Sequence, residues 1–116
     1  MRDRILGLLG LMRKANAAAI GETDTGAAVR GGKAKLLLLA SDASDNAKKR
    51  AETFVYGRGA RITVLPFEKQ EISAAVGKGG CSMLAVCDAG FAGALMKLLD
   101  EYDAQMRETS EQVEEE

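Results

Sequence analysis

A glycine followed by three polar residues stands at the start of a short helical segment: Gly21, Glu22, Thr23 and Asp24. The first N–H groups of a helix have no partner within the helix and carry partial positive charge, so they attract anions. Glycine leaves room for a second backbone, and threonine and aspartate can form hydrogen bonds with base edges. Thr23 or Asp24 could instead simply cap the helix. The pattern indicates a contact surface for a polyanion.

Basic residues and a second glycine-rich segment accompany this helix. Arg30, Lys33 and Lys35 occupy its far end and the following loop, and Lys78 lies in the sequence GKGG at residues 77–80. Loops from distant segments cluster at the ends of the strands of a layered domain, so one polyanion would meet several of these charges. The candidate contacts are Gly21, Glu22, Thr23, Asp24, Arg30, Lys33, Lys35, Lys78, Gly79, Gly80 and Cys81.

Enzymatic and metal-binding patterns are missing from the sequence. The chain contains no histidine and only two cysteines, Cys81 and Cys87, which do not complete a zinc site. The segment GAAVRGGKA, residues 26–34, misses the phosphate-loop spacing by one residue and precedes a strand rather than a helix. GKGG likewise opens no helix. We therefore expect a protein without enzymatic activity, cofactor or metal.

Helices and short apolar strands alternate along the chain, and these elements must position the candidate contacts. The pattern predicts an α/β fold, a three-layer α/β/α sandwich with a central mixed sheet of about four strands. KLLLLA has the length and character of a central strand that is buried on both faces. The expected helices cover residues 2–15, 23–30, a segment capped by Ser44, 69–76 and a closing helix to about 102; the expected strands cover 18–20, 35–40, 61–66 and 83–88.

Charge is distributed unevenly along the 116 residues although the formal net charge is only −1. Residues 1–80 carry an excess of Lys and Arg, and residues 81–116 carry an excess of Asp and Glu. We expect a single domain at 1–105 and an acidic, disordered tail at 106–116. The apolar run near the N-terminus has the spacing of an amphipathic helix, and no run is long enough to cross a bilayer. These features favour a cytoplasmic protein with reduced thiols.

Three stretches carry a resemblance that goes further: ILGLLGLMRKANAAAIGE, VRGGKAKLLLLASDASDNAKKR and AAVGKGGCSMLAVCDAGFAGAL. Over about residues 3–102 the chain resembles the kink-turn RNA-binding family of ribosomal proteins L-seven-A-e and L-thirty-e, most closely its small bacterial YlxQ-type branch. The most specific match is an apolar strand followed by a helix start of the form D-A-S-x-N-x-x-K.

The resemblance implies a function and a site. In the family, RNA that is kinked at sheared G·A pairs docks on the start of the second helix and on the loop before the last strand. A G-x-N-E motif lines that helix start; here Gly21 is kept, Thr23 and Asp24 stand for the asparagine and glutamate, and Ala27 replaces a following lysine.

From the resemblance we expect a monomeric, non-enzymatic protein that binds structured RNA of the kink-turn or ribosomal kind and associates with the ribosome. The replaced lysine leaves an alternative open, a protein-interaction module of the same fold in which RNA binding is lost or relaxed.

Overall fold

Nine elements alternate between helix and strand in the computed structural model, which describes the backbone of residues 1–115 and the side chains of residues 1–108. They are α1 (Arg2–Lys14), β1 (Ala18–Ile20), α2 (Glu22–Arg30), β2 (Leu36–Leu39), α3 (Asp45–Val55), β3 (Arg61–Val64), α4 (Lys69–Val76), β4 (Met83–Val86) and α5 (Ala89–Glu115). The observed elements lie close to those expected from the sequence, and the α/β class is confirmed.

The four strands form one mixed sheet in the order β1-β4-β2-β3. Strand β4 is antiparallel to both of its neighbours, and β2 is parallel to β3. Strands β1, β2 and β3 therefore end at one end of the sheet, where α2, α3 and the loop before α4 begin. The opposite end of the sheet holds the loops that lead into β2 and β3.

Both faces of the sheet are covered, which explains the continuous apolar run of β2. Leu36 and Leu38 join a core with α1, α4 and α5, whereas Leu37 and Leu39 join a second core with α2 and α3. Because side chains alternate across a strand, four consecutive leucines are buried in two different layers. The three-layer arrangement is thus confirmed.

The layer formed by α2 and α3 packs very closely because its contact residues are small. Alanines supply most of this core, and Gly26 in α2 lies under the ring of Phe54 in α3. A Cβ atom on Gly26 would come within 2.8 Å of two carbons of that ring. Close packing, rather than a loose helix, therefore explains the glycine in the middle of α2.

Helix α5 extends well past residue 105, where the domain was expected to end. Its backbone is helical to Glu115, and described side chains from Asp103 to Glu108 are exposed. Residue 116 and the side chains from 109 onward lie outside the described residues. The prediction that residues 106–116 form a separate, disordered tail largely concerns this part of the chain, and it stays a prediction.

Within the described residues, no helix combines the length and the apolar character that crossing a lipid bilayer requires.

Candidate nucleic-acid interface

The start of α2 is open. Gly21 is its N-cap residue, with φ 92° and ψ 168°, and no side chain caps the helix. The positive φ is a conformation that glycine adopts readily and other residues rarely do. Thr23 and Asp24 are exposed in the first turn, so the alternative that one of them merely caps the helix is wrong. The first N–H groups of α2 therefore stay free of side-chain acceptors.

Lys78 lies directly beside this helix start. Its ammonium group donates a hydrogen bond to the carbonyl oxygen of Ile20 over 3.2 Å. A Cβ atom on Gly21 would lie 3.7 Å from the same nitrogen. Two segments that are 58 residues apart in sequence thus combine a cation with a row of amide donors. This combination is suited to binding a phosphate group.

The glycine loop that carries Lys78 is anchored at both ends. Gly77 ends α4 in the left-handed conformation, with φ 70°, and turns the chain towards α2. Ser73 accepts the backbone N–H groups of Gly77 and Lys78 on its carbonyl oxygen and that of Cys81 on its hydroxyl. Gly79 and Gly80, between these anchors, are exposed. The loop therefore presents backbone rather than side chains next to Lys78.

Cys81 lies in the protein interior, next to the start of α2 and the end of the glycine loop. Only 1% of its surface is exposed, and the expectation that it contacts RNA stays a prediction. Its thiol donates to the carbonyl oxygen of Met83 over 3.3 Å. Burial raises the pKa of the Cys81 thiol, while the Gly21 backbone N–H group and Lys78 act to lower it. Cys81 thus helps to hold the α2 start and the glycine loop together.

Glu22 is paired rather than free. Its carboxylate forms an ion pair of 2.6 Å with Arg50 of α3, and both side chains are substantially exposed. The pair stands on the wall of a depression of about 510 Å³ between the starts of α2 and α3. Ser44 and Gly80 line the same depression. Since the pair is exposed, it contributes little stability, and a phosphate group could replace Glu22 as the partner of Arg50.

A groove of about 600 Å³ follows the other side of α2, between the helix and the edge strand β1. Asp24 and Lys78 line the end of the groove at the first turn of α2, and Lys33 lines the end beyond the last turn of α2. Sequence reasoning missed Arg13, Asn16 and Cys87, which complete the groove. They come from the end of α1 and from the residue after β4, and only the strand order β1-β4 brings them there.

Arg30 and Lys35 do not join Lys78. Arg30 ends α2, and its guanidinium lies 5.8 Å from the centroid of the Phe54 ring. The N–H group of Lys35 donates to the carbonyl oxygen of Val86 over 2.7 Å, at the end of the sheet opposite to the α2 start. The sequence placed these cations in one surface with Lys78, but the length of α2 separates them, and Lys33 alone reaches the groove.

No group of three or more Asp, Glu, Cys or His side chains in the described part of the chain is arranged to hold a metal ion.

Comparison with known proteins identifies the family. The chain is 38% identical to the RNA-binding protein YlxQ of Bacillus subtilis (strain 168) over 98 residues, which is 80% of this chain and 92% of the relative. The chain belongs to the YlxQ branch of the family of ribosomal proteins L-seven-A-e and L-thirty-e. A YlxQ of Enterococcus faecium, also named an RNA-binding protein, is 32% identical over 102 residues, 85% of this chain and 94% of the relative. No family model matches the chain.

Solved structures agree with the fold. A Bacillus halodurans protein described as having unknown function matches with a TM-score of 0.74 and 32% identity, over 83% of this chain and 96% of that one. The Giardia lamblia 15.5kD RNA binding protein matches with a TM-score of 0.64 and 16% identity, over 85% of this chain and 84% of that one. The second likeness shows a shared fold.

Proposed function

We propose that this YlxQ-family protein binds structured RNA without catalysing a reaction, and that it prefers RNA bent in a kink-turn. The observation that carries the proposal is the open start of α2 at Gly21 beside Lys78. In this proposal the protein acts as a cytoplasmic monomer that associates with the ribosome through ribosomal RNA. The names of its two YlxQ relatives, both RNA-binding proteins, support the RNA part of the proposal.

Each part of the helix start has a role in this proposal. The free N–H groups and Lys78 bind backbone phosphates, which positions the RNA without reading its sequence. Asp24 is exposed and accepts hydrogen bonds from amino and imino groups on the edges of sheared G·A pairs. Gly21 keeps the approach clear, because any side chain there would point at the Lys78 ammonium.

The groove supports RNA binding in the absence of the lysine that Ala27 replaces. Ala27 is exposed and lines the groove together with Asp24 and Lys78. Lys33 and Arg13 line the same groove. The positive charge that the resemblance places on α2 is therefore supplied from neighbouring segments, at a somewhat different position on the RNA backbone.

The direct test compares two RNAs that differ only at the bend. Fluorescence anisotropy measures binding to a kink-turn hairpin and to the same hairpin with its G·A pairs replaced by Watson–Crick pairs. We expect the kink-turn to bind more tightly and Asp24→Ala to reduce that preference about tenfold, the value of one good base-edge contact. Equal affinity for the two hairpins would contradict kink-turn recognition.

A second variant separates phosphate contacts from base contacts. Lys78→Ala should weaken binding to both hairpins and make binding less dependent on salt, with the slope of log affinity against log salt reduced by about 0.9. Lys97→Ala, an exposed lysine on α5 in the layer on the other side of the sheet, is the matched control and should change neither RNA affinity nor salt dependence. If the slope of log affinity against log salt is the same for Lys78→Ala and the wild-type protein, Lys78 does not contact an RNA phosphate.

A further inference from the structure

A second surface gathers cations at the end of the sheet opposite to the start of α2. Two segments form it: residues 30–35, from the last residue of α2 to the start of β2, and residues 56–61, from the end of α3 to the first residue of β3. We call these two segments together the basic end. The loops are neighbours because Leu36 pairs with Arg61 in the parallel strands that follow them. Lys35 and Arg58 line a shared depression of about 470 Å³ between the loops.

The charge of the basic end is not balanced by acidic residues in its own two segments. No Asp or Glu occurs in residues 25–41 or 53–67. Its basic residues are all exposed, and neither of the two ion pairs among the described side chains includes them. They are Arg30, Lys33, Lys35, Arg58 and Arg61. Like charges grouped on one surface repel one another, and a bound polyanion reduces that repulsion.

Other groups at this end leave the positive field in place. Arg58 donates one hydrogen bond to the carbonyl oxygen of Arg30 over 3.1 Å, which ties the two loops together and keeps its charge at the surface. Asp88 follows β4 at the same end, and its carboxylate accepts the backbone N–H of Phe91 over 2.9 Å at the start of α5. That carboxylate keeps its negative charge while it caps a helix, but the five basic residues of this end outnumber it.

Tyr56 gives this surface a second chemical property. Its side chain is 87% exposed although it is one of only five aromatic residues in the chain, and it follows the last residue of α3. Gly57, with φ 69°, and Gly59 flank Arg58 in the same loop, and nothing lies within 4 Å of where their Cβ atoms would be. An exposed aromatic ring two residues from Arg58 in the same loop supplies the kind of surface on which unpaired bases stack.

We propose that the basic end is a second RNA contact that takes an unpaired segment. The Tyr56 ring stacks on a base, and Lys35 and Arg58 bind the phosphates on either side of it. This inference rests on the proposed function, because it extends the bound RNA beyond the start of α2. The groove runs between the two surfaces, and Lys78, Arg13 and Lys33 in its lining offer cations to an RNA backbone that follows it. Two joined contacts raise the total affinity without either one being strong.

The first experiment uses tryptophan as a reporter, since the chain contains none. Tyr56→Trp is titrated with an oligouridine of about twelve nucleotides, a length within the range that single-strand-binding surfaces cover. Stacking should quench the new fluorophore. Met106→Trp, at an exposed position on α5, is the control and should not be quenched by the same RNA. Equal fluorescence changes in both variants would overturn the proposal.

The second experiment measures affinity for the same oligouridine by anisotropy. Tyr56→Ala should weaken binding about tenfold, and Tyr56→Phe should restore it, because the ring and not the hydroxyl group is used. Lys35→Ala should lower the salt slope by about 0.7, the value of one phosphate on a single strand, and Lys97→Ala should leave it unchanged. Equal oligouridine affinity of the wild-type protein, Tyr56→Ala and Lys35→Ala, or no binding at all, would overturn the proposal.

The two proposals fail in different ways. Loss of the kink-turn preference, with oligouridine binding that still depends on Tyr56, contradicts the proposed function and supports the basic end as an RNA contact. Kink-turn binding that depends on Asp24 and Lys78, with oligouridine binding that is independent of Tyr56, supports the proposed function and contradicts the basic end as an RNA contact.

Discussion

At the scale of single residues, glycine occupies different positions of this chain for different physical reasons. Gly21 adopts a φ of 92° beside a lysine, Gly26 lies under an aromatic ring, and Gly7 stands in α1 with nothing within 4 Å of where a Cβ atom would lie. The first two are required by the backbone or by a neighbour. The third is a helical glycine that only weakens its helix.

Gly26→Ala should therefore destabilise the protein. A Cβ atom 2.8 Å from the Phe54 ring forces α2 and α3 apart, and overpacking of this kind costs about 1–3 kcal/mol, against a gain of about 1 kcal/mol in helix propensity. Gly7→Ala is the matched control and should raise the free energy of unfolding by up to about 1 kcal/mol. Urea unfolding measures both, and equal stabilisation by both variants would show that α2 and α3 have room to spare.

The buried thiol of Cys81 should make the stability of the protein depend on alkaline pH. Because burial raises the pKa of Cys81 above its ordinary value of 9.0, the unfolded chain loses the thiol proton at lower pH than the folded protein. The stability that the neutral thiol contributes is present below pH 9.0 and is lost as the pH rises through the folded-state pKa.

Unfolding in urea at about pH 8 and about pH 10 should then show a larger loss of stability in the wild-type protein than in Cys81→Ala. A thiol reagent should label the partly exposed Cys87 well before Cys81. Equal labelling rates, or the same pH dependence in both proteins, would show that Cys81 is not buried in solution.

At the scale of elements, local signals in the sequence were sufficient to predict most of the fold. Ser44 caps α3 as expected, and the apolar run at β2 is buried on both faces. Contacts between distant segments were not encoded locally. The hydrogen bond from Lys78 to Ile20 and the groove formed by Arg13, Asn16 and Cys87 depend on strand order, and no local pattern of residues reports strand order.

Ser44→Ala tests directly whether the cap that the sequence predicts stabilises α3. The Ser44 hydroxyl accepts the N–H group of Ala47 over 3.1 Å, and loss of such a cap costs about 1 kcal/mol. Ser41→Ala, an exposed serine in the same loop, is the control and should leave stability almost unchanged. The free energy of unfolding in urea measures both variants. A cost below a few tenths of a kcal/mol for Ser44→Ala would show that α3 does not depend on this cap.

At the scale of the whole molecule, charge is separated between a body rich in lysine and arginine and an acidic C-terminal segment. The sequence predicted this separation, and it also grouped Arg30 and Lys35 with Lys78 as contacts of one RNA, which stays a prediction. The structure divides them between the start of α2 and the basic end, which are joined by the groove. A net charge of −1 therefore hides one strongly basic surface, the basic end.

Removal of residues 108–116 should strengthen RNA binding at low salt. This segment contains five glutamates and no basic residue, so its removal raises the attraction between protein and RNA over long distances. We expect a gain of about threefold to tenfold at about 50 mM salt that disappears as salt is added. Anisotropy at several salt concentrations measures it, and a gain that is independent of salt would point to a cause other than charge.

The most direct measurement of the central claim is a titration of ¹⁵N-labelled protein with kink-turn RNA, followed by NMR at the backbone amides. We expect the N–H signals of residues 21–24 and 78–80 to shift first and furthest, because the free N–H groups at the start of α2 and the Lys78 ammonium group receive the RNA backbone beside them. Shifts confined to α5 and the edge strand β3, with the signals of 21–24 and 78–80 unchanged at saturation, would contradict it.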